Sequence, residues 1–277
     1  MPGVLKAYTE RWALVTGASS GIGAEFARVL AGNGMHLVLT ARRVDRLEEL
    51  AEELQRQHMV QTLVVPADLT EPGAVEGLLG QVADREITLE LLVNNAGFGF
   101  VGEIAGTDVD AMLSMVNLNI SALTELTYRV LPGLIEQGHG AIVNVASVVA
   151  MQPVAYMPVY SATKAFVLHF SEALWAEARD GGVTVMALCP GATETEFFGV
   201  AGVPGWLKKQ RSQTSRQVVK EALRGLERRR SYMVSGFWNY LSSLAPRFVT
   251  RKTVVTQTLK FFRPRLGAAA DPEASDD

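Results

Sequence analysis

A glycine-rich turn between an apolar run and a helical run constrains the fold of this chain most. Residues 12–16, Trp-Ala-Leu-Val-Thr, form the kind of short apolar run that makes a buried parallel strand. The turn at residues 17–23 follows at once, and residues 24–30 then show helical periodicity. Its glycines let the backbone approach a pyrophosphate, and a helix N-terminus offers free N–H groups to that charge. A turn that needs glycine for steric reasons alone is the alternative, but this context favours a nucleotide-binding loop.

The same order of strand and helix repeats along the chain. Further apolar runs are predicted as strands at residues 36–40, 62–66, 90–94, 140–146, 182–188 and 231–235. Helices are predicted at residues 44–57, 72–85, 112–131, where Pro132 ends the helix, and from near Pro158 onward. Strands that alternate with helices through short connections predict a parallel sheet with helices on both faces. Ligands bind such sheets at the carboxyl ends of the strands.

Composition and charge limit the class of protein. The chain has 277 residues, of which 48% are hydrophobic, which is ordinary for a globular protein. The single cysteine, Cys189, excludes an internal disulfide, and with four histidines it argues against structural zinc. No signal pattern and no run of about 18 apolar residues is present, so we expect a cytoplasmic protein. Residues 206–266 hold 15 Lys/Arg against 2 Asp/Glu, whereas residues 1–205 hold 11 against 23.

Polar residues follow several of the predicted strands. Arg42 and Arg43 follow the second strand, where an acid would bind a ribose 2′-hydroxyl and an arginine would accommodate a 2′-phosphate. The pair favours NADP over NAD, although an exposed basic turn is the alternative. Asp68, after the third strand, suits either an adenine amino group or the cap of the next helix. Asn94 and Asn95, after the fourth strand, would either tie strand ends together or border an adenosine.

Tyr160 and Lys164 stand four residues apart on a predicted helix and therefore share one face. Free tyrosine titrates near ~10, and a fixed cation beside it would lower its pKa, so that the pair could act as one general acid/base. The pattern is weak by itself, because a solvent-facing lysine beside a half-buried tyrosine produces it too. Asn117 and Asn119 lie inside another helix, where a buried amide needs a partner.

Several motifs in one order extend this pattern: Thr16-Gly17-x-x-x-Gly21-x-Gly23, Asn94-Asn95-Ala96-Gly97, a helical Asn, Ser147, Tyr160-x-x-x-Lys164 and Pro190-Gly191. On these motifs the chain resembles the short-chain dehydrogenase/reductase family over residues 11–236. The resemblance implies a Rossmann-type, doubly wound parallel sheet of about seven strands in three α/β/α layers. It implies an NADP(H)-dependent oxidoreductase that moves a hydride between nicotinamide and a ketone, aldehyde or secondary alcohol. A catalytically silent NADP-binding regulator or scaffold is the alternative, against which the intact Ser147, Tyr160 and Lys164 argue.

The resemblance also assigns roles to residues. In the implied tetrad Tyr160 exchanges the proton, Lys164 holds the nicotinamide ribose and lowers the tyrosine pKa, and Ser147 stabilises the oxyanion. Asn119 rather than Asn117 completes the tetrad by positioning a water behind Lys164. The implied cofactor-binding residues are Gly17, Ser19, Ser20, Gly21, Ile22, Arg42, Arg43, Asp68, Leu69, Asn95, Ala96, Gly97, Tyr160, Lys164, Pro190, Gly191, Thr193 and Thr195. No metal site is implied, and a homodimer or homotetramer is expected.

Two later segments bear on the substrate. Residues 193–216 predict a lid, whose apolar members are Phe197, Phe198, Val200, Val203, Trp206 and Leu207. With Ser147 and Tyr160, Phe197 and Phe198 are the expected substrate contacts, and they suggest an apolar carbonyl or alcohol. The opposite wall is expected from Phe98, Phe100, Met151 and Tyr156. Any one of these apolar residues could instead pack on the core.

The C-terminal extension, residues 237–266, mixes aromatic and basic residues. One or two helices packed on the catalytic domain (residues 1–236) are the favoured interpretation. A basic amphipathic segment on an anionic membrane, a subunit contact and a cap over the substrate cleft are the alternatives. Nucleic-acid binding is not expected, because no recognition motif accompanies the charge. Residues 267–277, which are small and acidic, are expected to be a disordered tail.

Overall fold

The chain forms a parallel sheet flanked by helices on both faces. The computed structural model describes residues 8–203 and 211–269, without the side chains of 264–269. The strands are β1 (Trp12–Thr16), β2 (His36–Thr40), β3 (Thr62–Val64), β4 (Leu89–Asn94), β5 (Gly140–Val145), β6 (Val183–Cys189), β7 (Thr193–Glu194), β8 (Gln213–Thr214) and β9 (Tyr232–Val234). Seven of them make one sheet in the order β3-β2-β1-β4-β5-β6-β9, with parallel pairing throughout. This is the predicted Rossmann-type α/β fold.

The helices cover both faces of this sheet. They are α1 (Gly21–Ala31), α2 (Val44–His58), α3 (Ala74–Ala83), α4 (Val109–Val116), α5 (Leu123–Gln137), α6 (Pro158–Ala178), α7 (Phe197–Val200), α8 (Ser215–Glu227), α9 (Phe237–Leu244) and α10 (Arg251–Ala269). Short 3₁₀ turns occupy Ile104–Gly106, Val148–Met151, Arg179–Gly181 and Ala245–Phe248. None of the described helices is long and apolar enough to cross a membrane.

The core has two layers because side chains alternate across each strand. Ala13 and Val15 of β1 pack with Phe26 and Leu30 of α1 on one face of the sheet. Leu14, between them, packs on the other face with side chains from α3, α5 and α6. The central strands are buried along most of their length, which explains why they appear in the sequence as continuous apolar runs.

The prediction that Pro132 ends a helix begun at Met112 is wrong. Helical backbone runs from Val109 to Gln137, with a π-helical segment at Asn117–Ala122 between α4 and α5, and Pro132 lies inside α5. A proline costs a helix interior about 3 kcal/mol, because it removes a hydrogen bond and crowds the preceding turn. Core packing of buried side chains on either side, Val130 and Leu134, offsets that cost. The helix ends instead at Gly138, whose φ is +74°.

The segment predicted as a lid carries more regular structure than its sequence suggested. β7 pairs with β8 through Thr193–Gln213 and Glu194–Thr214, and α7 lies between them. Val203 is buried in an apolar cluster, so it packs on the protein rather than lining a cavity. Trp206 and Leu207 lie outside the described residues, as do residues 270–277 of the predicted tail. Residues 267–269, predicted as the start of that disordered tail, are helical and belong to α10.

Candidate active site

The carboxyl ends of the central strands meet at a cleft of about 540 Å³. Every residue predicted to be catalytic or to bind cofactor lines this cleft except Asn119, and so do the predicted substrate contacts Phe197 and Phe198. The fold therefore brings together residues from position 17 to position 198, because parallel strands all end at the same edge of the sheet. Lining residues that the sequence reasoning did not assign to the site include Val101, Val149, Met157, Glu196, Phe261 and Phe262.

The glycine-rich turn is held against the end of β4. The side-chain amide of Asn95 donates to the carbonyl oxygens of Thr16 at 2.9 Å and Gly17 at 3.2 Å. Gly17 has a φ of +64°, and a Cβ there would lie 2.8 Å from the Asn95 amide nitrogen. Ser20 begins α1 without a capping side-chain hydrogen bond. The turn thus leaves the N-terminus of α1 directed at the cleft, which suits a phosphate group.

The two asparagines after β4 tie strands and loops together. Asn94 donates to Asn144 Oδ1 at 2.9 Å and to Thr127 Oγ1 at 3.0 Å, which links β4 to β5 and α5. Of the two alternatives for this pair, the tie between strand ends is therefore the one that the structure supports for Asn94. Asn95 holds the glycine-rich turn and also lines the cleft, so its predicted place beside an adenosine stays a prediction.

The two arginines after β2 differ in how tightly they are held. Arg43 donates to Ser19 Oγ at 3.1 Å and to Glu196 Oε2 at 2.9 Å. The Arg42 side chain is 75% exposed, and its guanidinium comes no closer than 3.7 Å to Asp68 Oδ2, which is a long ion pair. Arg42 is thus the freer of the two cations at this end of the cleft. The link from Arg43 to Glu196 spans 153 residues, so no local sequence signal could have revealed it.

The carboxylates beside these arginines stay ionised. Hydrogen bonding from Arg43 holds the pKa of Glu196 below its usual value. Partial burial raises the pKa of Asp68, but hydrogen bonds from Thr70 and the charge of Arg42 outweigh it and leave that pKa lowered. Asp68 accepts from both the N–H and the hydroxyl of Thr70. It does not cap α3, which begins after Gly73.

Ser147, Tyr160 and Lys164 converge in the middle of the cleft. Ser147 follows β5 and begins a 3₁₀ turn, and its hydroxyl is hydrogen-bonded to the Tyr160 phenol. Tyr160 and Lys164 lie in the first turns of α6, which starts with Pro158 at a position where a missing N–H costs nothing. Lys164 Nζ donates to the Val145 carbonyl oxygen at 2.8 Å and lies 5.8 Å from the centre of the Tyr160 ring.

The expected lowering of the Tyr160 pKa is wrong for this structure. Burial raises the pKa of Tyr160 well above its ordinary value, and the Ser147 hydrogen bond opposes that rise only in part. Burial also lowers the pKa of Lys164 to about 8. The tyrosine is therefore a phenol at neutral pH, and the lysine carries its charge below about pH 8.

Asn119 is fully buried behind this group, in the π-helical segment between α4 and α5. Its amide nitrogen donates to Phe98 O and to Thr163 Oγ1, both at 3.0 Å, and its Oδ1 accepts from Phe98 N at 3.2 Å. It therefore joins the loop after β4 to α6, next to Lys164. Asn117 is exposed, as expected for a residue on the helix surface.

One end of the cleft is aromatic. Phe197 lies 5.4 Å from Tyr160 between ring centres and contacts Phe198 edge-on at 5.5 Å. Of the four residues expected on the opposite wall, only Phe98 lines the cleft. Phe100 and Tyr156 pack behind the cleft lining, in the cluster that surrounds Tyr160, and Met151 packs in a separate cluster near β5 and α6.

The C-terminal helix α10 supplies a second part of this wall. Phe261 and Phe262 line the cleft, and Phe262 is 9% exposed. Thr258 anchors α10 by accepting a hydrogen bond from Ala155 N at 3.1 Å. Helix α10 therefore packs on the domain and also covers part of the cleft. It matches two of the alternatives given for the extension.

Comparisons with known proteins agree with this site. The family model described as short chain dehydrogenase matches residues 11–202. Very-long-chain 3-oxoacyl-CoA reductase of Rattus norvegicus is 31% identical, over 88% of this chain and 78% of that protein. Sulfoacetaldehyde reductase 2 of Chromohalobacter salexigens is 41% identical, over 66% of this chain and 73% of that protein. The solved structure of a short-chain dehydrogenase from Sphingobium yanoikuyae in complex with NADPH has a TM-score of 0.76 and 34% identity, over 96% of this chain and 98% of that chain.

Proposed function

The chain belongs to the short-chain dehydrogenase family, and from this premise we propose that it reduces an extended, apolar ketone with NADPH. The reaction class is that of the family, an NADP(H)-dependent oxidoreductase acting on C=O and CH–OH groups. The observation that carries the proposal is the convergence of Ser147, Tyr160 and Lys164 between a glycine-rich turn and an aromatic wall.

The residues at one end of the cleft fit NADP(H). The turn from Gly17 to Ile22 and the uncapped N-terminus of α1 would hold the phosphates. Arg42, exposed and only weakly paired, would hold the 2′-phosphate, with Arg43 fixed behind it. Asp68 and Asn95 would border the adenosine, and Lys164 the nicotinamide ribose. When bound, the cofactor supplies the hydride for the carbonyl carbon.

The protein's own groups handle the proton and the developing charge. Tyr160 donates its phenolic proton to the carbonyl oxygen as the C–O π bond breaks. Ser147, hydrogen-bonded to the same phenol, donates to that oxygen and stabilises its negative charge. Lys164, charged below about pH 8, stabilises the phenolate that Tyr160 leaves behind. Asn119 fixes the loop of Phe98 against α6 and so positions Lys164.

The protonation state of Tyr160 agrees with reduction of a carbonyl. Burial raises that pKa, so the resting group is a proton donor. A proton donor suits reduction of a carbonyl, whereas oxidation of an alcohol needs the phenolate. Reduction also agrees with NADPH as the cofactor, since Arg42 favours the phosphorylated form.

The aromatic wall supports an extended apolar substrate. Among the described residues that line the cleft, the cations are Arg42, Arg43 and Lys164, and none of them belongs to the wall that contains Phe98, Phe197 and Phe262. A small sulfonated aldehyde, as in the name of one relative, would lack a cationic partner in that wall. An acyl chain, as in the name of another relative, would bury its methylenes there.

Replacing Tyr160 by phenylalanine tests the mechanism. We expect Tyr160→Phe to keep its affinity for NADPH and to lose turnover of long-chain and aryl ketones by about 10²–10⁴-fold, the range for general acid catalysis. Tyr128→Phe is the matched control, because that tyrosine is 65% exposed on α5 and lies outside the cleft. Unchanged turnover in Tyr160→Phe would overturn the mechanism. A wild-type protein that binds NADPH but reduces no carbonyl would favour the silent-regulator alternative.

We also propose the setting in which the enzyme works. Residues 1–236 form the catalytic unit, since β9 completes the sheet at Val234, and the following helices are an extension of it. A homodimer or homotetramer is supported by an aromatic row on α5 and α6, in which the exposed Tyr128 and Phe166 stack on the half-buried Phe170 at 6.2 and 5.6 Å. A cytoplasmic location is supported by the use of cysteine, since the lone Cys189 is buried as a free thiol and has no second cysteine with which to form an internal disulfide.

A further inference from the structure

Helix α9 and the turn after it present apolar side chains to solvent. None of the residues of α9 is buried. We call six exposed residues the C-terminal apolar patch: Phe237, Trp238, Tyr240, Leu241, Phe248 and Val249. Phe248 is 84% exposed, Phe237 71% and Trp238 62%. Large apolar side chains that cluster in this way on a surface mark an interaction site.

The orientation of α9 is the reverse of that expected for a helix packed on a core. Its polar Asn239 faces the protein, where it donates to Ser235 O at 2.7 Å and lies against Gly191. The apolar side chains of the same helix point away. Helix α10 behaves in the ordinary way, because it buries Val254, Thr258 and Phe262. Within the described part of the extension, α9 and the turn after it thus present their most exposed apolar side chains to solvent.

Positively charged residues flank this patch along the chain, and one contacts it. Arg247 lies within it in sequence, and Arg251 and Lys252 follow it at the start of α10. The guanidinium of Arg211 lies 5.8 Å from the centre of the Trp238 ring. The sequence has no Asp or Glu from residue 228 to residue 270.

A groove of about 730 Å³ adjoins the patch, because it is lined by two residues of the patch and by further arginines. Arg224, Arg228 and Arg230 line it together with Phe237 and Tyr240. The one carboxylate that lines the groove is that of Glu221, which accepts hydrogen bonds from the Ser235 hydroxyl and the Gly236 N–H. This negative charge is thus partly satisfied within the protein.

We propose that the C-terminal apolar patch docks the protein on the surface of an anionic phospholipid bilayer. Tryptophan, tyrosine and phenylalanine side chains favour the headgroup level of a membrane. Arginine and lysine beside them gain from the negative surface potential, by an amount that falls with salt. The acidic remainder of the chain would be repelled by that surface, so the charge asymmetry would also orient the protein.

A second copy of this chain fits the patch less well. A two-fold contact places the same surface on both subunits, so the flanking basic residues would meet their own like charge. Nothing in this proposal uses a residue that binds cofactor or carries out the reaction. If the protein did not bind membranes, the proposed carbonyl reduction would therefore be unaffected. If it reduced no carbonyl, the membrane proposal would likewise stand.

Vesicle binding by the full chain tests the proposal. We expect binding to vesicles of phosphatidylcholine and phosphatidylglycerol in equal parts, little binding to phosphatidylcholine alone, and release by high salt. Trp238→Ser with Phe248→Ser, and separately Arg247→Gln, Arg251→Gln and Lys252→Gln together, should each weaken binding at least tenfold. NADPH-dependent turnover in vesicle-free buffer should stay unchanged in both variants, which also reports that they fold.

Matched variants elsewhere make the test specific. Ile104→Ser with Val109→Ser removes two side chains that are 61% and 65% exposed far from the patch in sequence, and it should leave vesicle binding unchanged. Arg56→Gln with Arg85→Gln controls for the loss of exposed charge. No binding to anionic vesicles, or equal binding to neutral ones, would overturn the proposal. The proposal would also be overturned if neither the wild type nor the Trp238/Phe248 variant bound vesicles, and light scattering showed a wild-type oligomer that is lost in the variant. The patch would then be a contact between copies of this chain.

Discussion

The two ends of the cleft are built in different ways. At the cofactor end, short polar side chains and backbone groups at the strand ends hold one another, as when Asn95 donates to Thr16 O at 2.9 Å. At the substrate end, the wall consists of aromatic rings from distant parts of the chain, such as Phe98, Phe197 and Phe262. The first end depends on backbone geometry, which tolerates few residue types. The second depends on side-chain volume, which many residue types could supply.

This difference predicts that substitutions will separate two measured quantities. A change at the cofactor end should alter the dissociation constant of NADPH for every carbonyl substrate alike. A change in the aromatic wall should alter KM for large carbonyls and leave the dissociation constant of NADPH as it was. The substitutions described below test whether the dissociation constant of NADPH and KM for the carbonyl change independently.

The largest effect is expected from Gly17→Ala. A Cβ at this position would meet the Asn95 amide at 2.8 Å and the Ala96 Cα at 3.0 Å, on a backbone whose φ of +64° disfavours side chains. Local strain of about 1–3 kcal/mol and displacement of Asn95 should together weaken NADPH binding by about 100-fold. Fluorescence titration with NADPH measures this directly, and KM for ketones at saturating NADPH should change little.

Gly80→Ala is the control for Gly17→Ala. Gly80 lies within α3, and a Cβ there would meet nothing within 4 Å. NADPH affinity should be unchanged, and the free energy of unfolding should rise by up to about 1 kcal/mol, since alanine favours a helix over glycine. Equal NADPH affinity in the Gly17 and Gly80 variants would contradict a backbone-determined cofactor end.

Arg42→Asp should have the next largest effect and should distinguish the two cofactors. Loss of a charged hydrogen bond, with a new carboxylate beside Asp68, should weaken NADPH binding by about 10–100-fold while NADH binding holds or improves. Arg46→Asp is the control, because Arg46 pairs with Glu196 at 3.7 Å but does not line the cleft. A loss of equal size for NADH and NADPH would reject the role of Arg42 in binding the 2′-phosphate.

The contrast between the two ends also decides what the sequence could predict. β1 and β2 have the predicted bounds, and the residues predicted to bind cofactor line one cleft, because a strand–turn–helix unit encodes its own geometry in adjacent residues. Phe262 and Val101 were not assigned to the site, because only long-range packing brings α10 and the loop after β4 together. Pro132 misled the prediction for the same reason, since core contacts outweighed a local helix breaker. The Tyr160 pKa was misjudged because burial cannot be seen in a motif.

The smallest effect is expected from Phe262→Ala, the substitution that tests the substrate end. Removing this ring should raise KM for a long-chain or aryl ketone about tenfold, because the substrate loses an apolar contact in a closed wall. KM for a small aldehyde, which does not reach that wall, should stay the same. Steady-state kinetics at saturating NADPH with both substrates measures the two values in one preparation.

Phe248→Ala is the matched control, because it removes the same ring from an exposed position that does not line the cleft. Phe262→Leu keeps an apolar side chain, so its KM for the large ketone should rise less than that of Phe262→Ala. This comparison separates the loss of a specific contact from a general loosening of α10. Unchanged NADPH affinity in Phe262→Ala would report that the cofactor end is intact. If NADPH affinity fell together with KM for both carbonyls, α10 would support the whole cleft, and the two ends could not be treated as independent.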